Sequence, residues 1–593
     1  MNISEIFIRR PVATILLMLA ILFGGIEAYS LLPVAALPAA DFPTISVSAD
    51  LAGASPDTMA SSVATPLIKQ FETIDGVDTI SASSSLGSTN VTIQFALSRN
   101  IDAAAADVQA AISRVQRSLP ANMTQAPSYR KANPASSPVL FMALTSDGAP
   151  LTRMDDIAQN IIAPALSTVS GVAQAQVFGA KTYAVRVEVD PDRLSARGLS
   201  LNVVTNALKV ANDQTPLGTL QNNSQLMTVD AATQRTSATS FNSLIISRPN
   251  GLPIRLGDVA TVKDSINNLQ QGAWLDGKGT IVIAVFRQPA ANTVAVVNKI
   301  RAKLPAIEAG LPSGMKISIV NDASISIKNA VSDVQKSLGL TIILVILVIF
   351  LFLRKVTATL IPGIAVPLSL LTTFGAMYFL GYSIDNISLM GLTLAVGLVV
   401  DDAIVMLENI VRHIEDGMEP FEAAIKGSRE VIGTIISMSL SLVAVFLPIL
   451  LMGGIIGRVF NEFGIVVTLA ILSSAVISLT VTPMLAARLP KPAHNLVAKK
   501  TLFDRITDRY GWCVAWCLRH RFIILGVFFV SAYASFVMFN ALPRSLFPTE
   551  DTGVLSISTQ ARQDISYPAM LALQQAAVAA VQDDPSIDRK SVV

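Results

Sequence analysis

Gly397-Leu398-Val399-Val400-Asp401-Asp402-Ala403-Ile404-Val405-Met406-Leu407-Glu408-Asn409 sets two adjacent carboxylates inside an apolar run. The run reaches back to Asn386, so it is long enough to cross a bilayer as a helix. Asp401 follows Asn386 by 15 residues, roughly 22 Å at 1.5 Å per residue, which is deep in the hydrocarbon. Charges at that depth cost about 3 kcal/mol each on insertion scales and are kept for a purpose. Two neighbouring aspartates cannot both stay ionised in low dielectric without a cation. Either one holds a proton or a basic side chain from another helix pairs with them. Asp401 and Asp402 are therefore candidate proton-relay residues. Glu408, seven residues after Asp401, shares its helix face and is a candidate proton exit or an interfacial carboxylate. The competing reading of all three is a structural ion pair between helices.

Working outward, six further apolar stretches are of spanning length: Val12–Leu32, Leu338–Leu353, Leu360–Leu380, Val431–Met452, Phe463–Ala486 and Phe522–Phe539. The composition agrees with a membrane protein that keeps a large polar part. Of 593 residues, 51% are hydrophobic and 15% charged, with mean hydropathy +0.55, against about 25% charged in soluble domains. The net charge of +2 and the lack of a basic stretch interleaved with aromatics speak against a nucleic-acid partner.

Basic residues orient the spans. Arg9 and Arg10, Arg354 and Lys355, the group Arg412, Lys426 and Arg429, and the cluster from Arg488 to Arg521 all fall on the side of the N-terminus. The alternate links carry only Arg458. This parity predicts a cytoplasmic N-terminus and a retained first span. A cleaved signal peptide is the rival reading, but the apolar run exceeds the usual core of such a peptide.

The organisation expected is a first span within 1–32 and an extracytoplasmic region at 33–337 with an insertion at about 194–247. Spans two to six follow at 338–486, a cytoplasmic linker at 487–521, the seventh span at 522–540, and a second extracytoplasmic region from 541 to 593. Within 33–337, strands at Thr44–Ala49, Val77–Ser85 and Asn90–Leu97 alternate with helices at Asp57–Phe71 and Asp102–Leu119. The order recurs at Val139–Thr145, Arg153–Val169, Ala173–Phe178 and Tyr183–Val189. Ile281–Phe286, Val294–Ile307 and Met315–Val320 would complete the second unit. Two βαββ-type units suggest ferredoxin-like subdomains. The fold class expected is an α-helical membrane protein with an α+β extracytoplasmic domain.

Ala36-Leu37-Pro38 and Phe42-Pro43-Thr44 follow the first span, and Ala541-Leu542-Pro543 and Phe547-Pro548-Thr549 follow the seventh, both pairs at an offset of 505. This internal repeat predicts a first repeat that is complete and a second that is truncated after a strand at Val554–Ser558. A whole second repeat would end at roughly 1,010–1,040 residues. Asp588-Arg589-Lys590-Ser591-Val592-Val593 resembles adapter-encoded sequence before a stop, so the chain is expected to be a fragment.

Two other patterns are dismissed. Gly272-Ala273-Trp274-Leu275-Asp276-Gly277-Lys278-Gly279 imitates a phosphate-binding loop, but Gly279 stands where Ser or Thr is needed and a strand-like run follows. It is read as a hairpin turn. Cys513 and Cys517, with His520 nearby, provide too few ligands for a closed metal site, and no metal is expected.

Arg10-Pro11-Val12-Ala13-Thr14, Leu37–Thr44, Gly53-Ala54-Ser55-Pro56-Asp57, Ser83–Gln94, Tyr129-Arg130-Lys131-Ala132-Asn133-Pro134, Ile254–Val262, Val399–Glu408 and Met452–Phe463 together resemble the resistance–nodulation–division (RND) efflux pumps, in particular their multidrug transporter subunits. The resemblance covers the whole chain. It implies an RND transporter fold, a trimer of one or two kinds of subunit, and a porter domain that binds amphiphilic, lipophilic small molecules. It also implies a docking insertion at Leu194–Ser247 that meets a periplasmic adaptor and, through it, an outer-membrane channel. It assigns the proton relay to Asp401 and Asp402 and matches Phe178 to an aromatic of the drug pocket. At Pro138 many such pumps carry a phenylalanine, and it is absent here. The relay lysine of these pumps belongs to a tenth span.

The function expected is proton-driven multidrug export across the bacterial inner membrane, by a secondary transporter that needs no cofactor beyond the proton gradient. A heavy-metal exporter of the same superfamily and a non-pumping membrane scaffold are the alternatives. The first would need a methionine or carboxylate ladder, and the second would be indifferent to an uncoupler.

Overall fold

A computed structural model describes residues 3–35, 43–123, 125–132, 137–212, 218–228, 234–288, 291–353, 356–488, 502–542, 555–562, 564–582 and 591–592. Among the described residues seven helices are long and apolar enough to cross a membrane: α1 (Pro11–Leu31), α2 (Ala323–Leu353), α3 (Val356–Leu380), α4 (Asn386–Glu415), α5 (Pro420–Leu450), α6 (Gly454–Ala486) and α7 (Arg521–Ala541). Each apolar stretch found in the sequence falls on one of them, although α1 stops at Leu31 and α5 at Leu450, short of the expected Leu32 and Met452. The helices run beyond the apolar cores wherever helix-forming residues allow. α5 opens at Pro420, a residue suited to the first helical turn, and carries Glu422, Ala423 and Ala424 before its apolar part begins.

α6 is the hub of the bundle, packed against α3, α4 and α5. Close approach explains two glycines. A Cβ on Gly391 of α4 would lie 3.2 Å from Phe463 and Val467 of α6, and one on Gly25 of α1 would lie 2.5 Å from the Leu371 carbonyl of α3. Small residues let membrane helices approach backbone to backbone, where dispersion replaces the missing hydrophobic drive. Among the described residues α7 buries none. Its apolar surface suits hydrocarbon rather than water.

Among the described residues between α1 and α2, two larger antiparallel sheets stand beside three two-stranded ones. The first comprises β1 (Thr44–Asp50), β2 (Val77–Ser85), β3 (Ser88–Phe95) and β4 (Ser128–Ala132) in the order β2-β3-β1-β4. Ile45, Val47 and Ala49 point to one face, as alternation in a strand requires. They meet Val91, Ile93 and Phe95 there, under Leu67, Phe71 and Val108 of two covering helices. Ser55 caps the first helix through Thr58 N at 3.2 Å and Pro56 opens it. Asn100 caps the second, Ile101–Val115, through Asp102 N at 2.8 Å. Side-chain acceptors at these ends satisfy amide groups that would otherwise be orphaned.

The second sheet is built differently from expectation. β5 (Leu140–Ser146) and β6 (Val172–Phe178) belong to it, but β7 (Tyr183–Val189) does not. β7 pairs instead with β8 (Ala260–Ile266), from Tyr183 opposite Ile266 to Val189 opposite Ala260. The place beside β6 goes to β9 (Lys278–Arg287), with Val282 opposite Phe178, and β10 (Met315–Asp322) flanks β5. Its main strands run β10-β5-β9-β6, and the chain leaves the sheet after β6 and rejoins it at Ala273–Leu275, which also pairs with Ser591–Val592. Burial explains the exchange. An antiparallel strand can leave one face polar, but β9 is covered on both. Thr280–Val285 of β9 is buried throughout, whereas β7 alternates around Arg186 and Glu188 and stays partly exposed. The segment read as an insertion joins β7 and β8 in a small core of Leu194, Val204, Ile246, Leu256 and Val259.

The stretch that imitates a phosphate-binding loop is a hairpin, with Ala273–Leu275 paired to Lys278–Thr280. Asp276 and Gly277 both have positive φ, 49° and 79°, as a two-residue turn of this hand demands. The strand expected at Val554–Ser558 is not formed at Leu555–Ser558, and Val554 lies outside the described residues. A strand needs a ladder partner for its backbone groups, and none of the described residues pairs with it.

Candidate functional site

α4 is held at its start by Asp385. That carboxylate accepts from Ile387 N at 2.9 Å and Ser388 N at 2.8 Å, while Ser388 Oγ accepts from Asp385 N at 2.9 Å. This reciprocal cap starts a 30-residue helix that carries Asp401 and Asp402 halfway along. The two aspartates do not share an environment. Asp402 is only 2% exposed, wedged against α5 and α6, while Asp401 is on an exposed face of the chain. Consecutive residues on a helix point about 100° apart, so adjacency in sequence separates the two side chains. Glu408 is exposed on the same side as Asp401, and among the described residues neither has an ion pair.

Around Asp402 the contacts are sparse. Ser439 Oγ of α5 donates to Asp402 Oδ2 at 3.4 Å, a long bond. Ser474 Oγ of α6 donates to the Val399 carbonyl at 2.7 Å, just before the aspartate pair. Asp402 Oδ1 is buried with no hydrogen-bond partner among the described residues. A buried carboxylate oxygen without donor or counter-charge is among the costliest groups a fold can hold. It is relieved by a proton on the carboxyl or by a cation supplied from elsewhere.

Phe178 ends β6 and is half-buried. Ala175 and Val177 pack toward the core below the sheet, as do Met142 and Ile283 of the neighbouring strands. By alternation Phe178, Gln174 and Gln176 occupy the opposite face, together with Phe141 and Phe286. Pro138 precedes β5 and is also half-buried.

Residues 3–593 match the AcrB/AcrD/AcrF family. The chain belongs to that family. It is 44% identical over 593 residues to multidrug resistance protein MdtC of Escherichia coli O139:H28 (strain E24377A / ETEC), and 44% identical over 598 residues to the protein of that name from Klebsiella pneumoniae (strain 342). Each comparison covers 99% of this chain and 58% of the relative, so the chain spans 58% of the length of these proteins. With its seven apolar helices, this AcrB-family chain is a multi-pass membrane protein.

Cys513 and Cys517 are free, the first exposed. They lie on the amphipathic helix Leu502–Arg519, before α7 rather than at its mouth. Among the described residues no group of three His, Cys, Asp or Glu is placed to hold a metal. Sequence reading missed one pair of acids, Asp385 and Glu462, which are 0% and 6% exposed. The apolar stretch starting at Phe463 leaves Glu462 in the link before the sixth span, where a carboxylate attracts no notice. α6 in fact begins at Gly454, so Glu462 lies two turns inside it. A charge at the first turns of a spanning helix was the available signal.

Proposed function

We propose that the protein is a subunit of a proton-driven multidrug exporter, a secondary transporter rather than an enzyme. It would export amphiphilic compounds in exchange for protons, as a trimer joined to a periplasmic adaptor and an outer-membrane channel. Asp402 carries this reading. A buried carboxyl with an orphaned oxygen beside an exposed Asp401 is suited to gaining and losing a proton as a cation on a facing helix approaches and withdraws. Glu408, on the Asp401 face, extends the path toward the cytoplasmic side. The basic links put the sheets in the periplasm. Both sheets have the fourth strand of the unit beside the first and the third beside the second. That order supports two ferredoxin-like porter subdomains. Phe178, on the sheet face turned from the core, would contact lipophilic cargo, and the unit at β7 and β8 would dock the adaptor. The names of the MdtC relatives support a multidrug cargo over a metal ion.

The test is efflux of a fluorescent amphiphile from cells lacking their own pumps and expressing the complete protein. Export abolished by a proton uncoupler is expected, and export that survives the uncoupler would refute the coupling. Cysteines at the exposed Ser98 and Ser224 should react with an impermeant reagent from outside, and cysteines at the exposed Thr357 and Asp416 should not. The reverse pattern would invert the orientation.

A further inference from the structure

Where the sheets meet the membrane helices there is a cavity of about 510 Å³, lined among others by Pro33, Leu97, Arg287, Ser383, Arg458 and Glu462. Both sheet units, the start of α6 and the loop Gly381–Ser383 before α4 contribute to its wall. Glu462 of α6 reaches it from one side. Behind Glu462 lies Asp385, the cap of α4. Ser383 joins them: its backbone N–H donates to Glu462 Oε1 at 3.0 Å and its hydroxyl to Asp385 Oδ2 at 2.8 Å. Two carboxyls on one serine disfavour a second charge there, and among the described residues neither has a basic partner within 4 Å.

The charged and titratable groups around them are few. Arg458, one helix turn before Glu462, donates to the Leu97 carbonyl at 3.1 Å. Arg287 donates to the Ala291 carbonyl at 3.1 Å. Tyr382 is the remaining titratable neighbour, and the nearby Glu462 helps hold its hydroxyl proton, after burial. Burial also pushes the Asp385 carboxyl above its ordinary range, against the hydrogen bonds of the cap.

The loop that carries Ser383 is itself a link. Ile384 N donates to the Pro33 carbonyl at 2.8 Å, and Ala35 N donates back to the Ile384 carbonyl at 3.1 Å. Between them Val34 accepts from Thr293 N at 3.0 Å, at the start of the helix Thr293–Ala309 that covers the second sheet. Arg458 makes the matching connection to the first sheet unit through Leu97. The acid pair is therefore wired to both units by short hydrogen bonds.

We propose that Asp385 and Glu462, joined through Ser383, share one proton and form a second proton site, filled from the cavity, whose occupancy latches the sheet units to α4 and α6. With the proton present, one carboxyl is neutral and the loop is held. Without it, two buried like charges face each other and the loop is released from Glu462 or from segment 33–35. The sign is that of a group with raised affinity for its proton: the latched state is fully favoured at low pH and weakens as pH rises through the shared site. The latch stands on this geometry alone. Its use in coupling transport to protons rests on the export reading above.

Hydrogen–deuterium exchange on the chain in lipid nanodiscs tests it without transport. Protection of the Ile384 and Ala35 amides, corrected for intrinsic exchange, should fall about tenfold between about pH 6 and about pH 9, the change that one pKa unit imposes. Glu462→Gln keeps an acceptor for Ser383 N but cannot ionise, and should flatten the profile. Asp385→Asn, which still caps α4, should flatten it too and serves if the first variant does not fold. A flat wild-type profile, or a folded variant that keeps the wild-type fall, would overturn the latch while leaving the export reading untouched. Conversely, uncoupler-resistant efflux would remove the export reading and leave the latch standing.

Discussion

One pair of acids lies midway along α4 and another joins its N-terminal cap to α6, and the two behave in opposite ways. Asp401 and Asp402 are neighbours in sequence, yet the helix turns one outward and buries the other. Ser383, beside Asp385, and Glu462 are 79 residues apart, yet a loop and a helix end bring them within 3.0 Å. Adjacency in the chain is a poor guide to a shared environment, because a helix separates neighbours by about 100°. A packed junction can unite distant residues. Another buried acid shows what a partner changes. Asp322, at the end of β10, is paired with Arg301 at 2.6 Å and accepts from Ser324 N at 2.8 Å. Burial works against its charge, but the hydrogen bonds from Ser324 and Arg301 outweigh it and hold the carboxyl below its ordinary value.

The largest effect should fall on the middle of α4. In the complete protein, Asp402→Asn should lower efflux by roughly a hundredfold or more, the scale of a lost proton-transfer group, while the protein still accumulates in the membrane. Asp401→Asn should do the same. If Asp401→Asn exports normally, the exposed aspartate is not part of the relay and the pair is divided in function as well as in space.

Next comes the contrast between a paired and an unpaired acid. Asp322→Asn should cost about 1–3 kcal/mol in denaturant melts, the range for a charge-assisted hydrogen bond. A carboxyl held below its ordinary value contributes stability above that value and loses it as pH falls through its folded value. Acidification should therefore loosen the start of α2, as alkalinisation loosens the loop at Ile384. Exchange that moves in the same direction at both places would erase the distinction.

A smaller effect separates the start of α4 from its middle. Asp385→Ala removes a helix cap and should cost about 1 kcal/mol. Asp401→Ala, on an exposed face, should stay within about 0.5 kcal/mol. Melting curves in detergent compare them, and equal losses would mean that burial does not distinguish the sites.

The smallest effect belongs to Phe178. Because its side chain is half-buried on the sheet face away from the core, Phe178→Ala should leave folding nearly unchanged. It should alter relative export of bulky aromatic and small compounds by a few-fold, since one apolar contact in a pocket is worth about 1 kcal/mol. An unchanged substrate profile would take Phe178 out of the cargo path.

Much of the molecule was legible from local pattern. Hydropathy located all seven spanning helices, because bilayer crossing depends on a run of neighbours. Alternation placed Val77–Ser85 and Tyr183–Val189 at their observed limits, because a strand's two faces are written every second residue. Asp401 and Asp402 stood out because charge is rare in such runs. Three things were settled only by packing. β9 rather than β7 took the place beside β6, burying Thr280–Val285 on both faces where β7 stays partly exposed. Asp402 rather than Asp401 was buried, since the neighbours of α4 are α5 and α6 on one side. Asp385 and Glu462 became a pair, since their meeting depends on how α3, α4 and α6 converge. Local sequence records what each segment prefers by itself. Which segments then share a boundary is decided by burying the most apolar surface with the fewest unpaired polar groups, a balance struck over the whole tertiary structure.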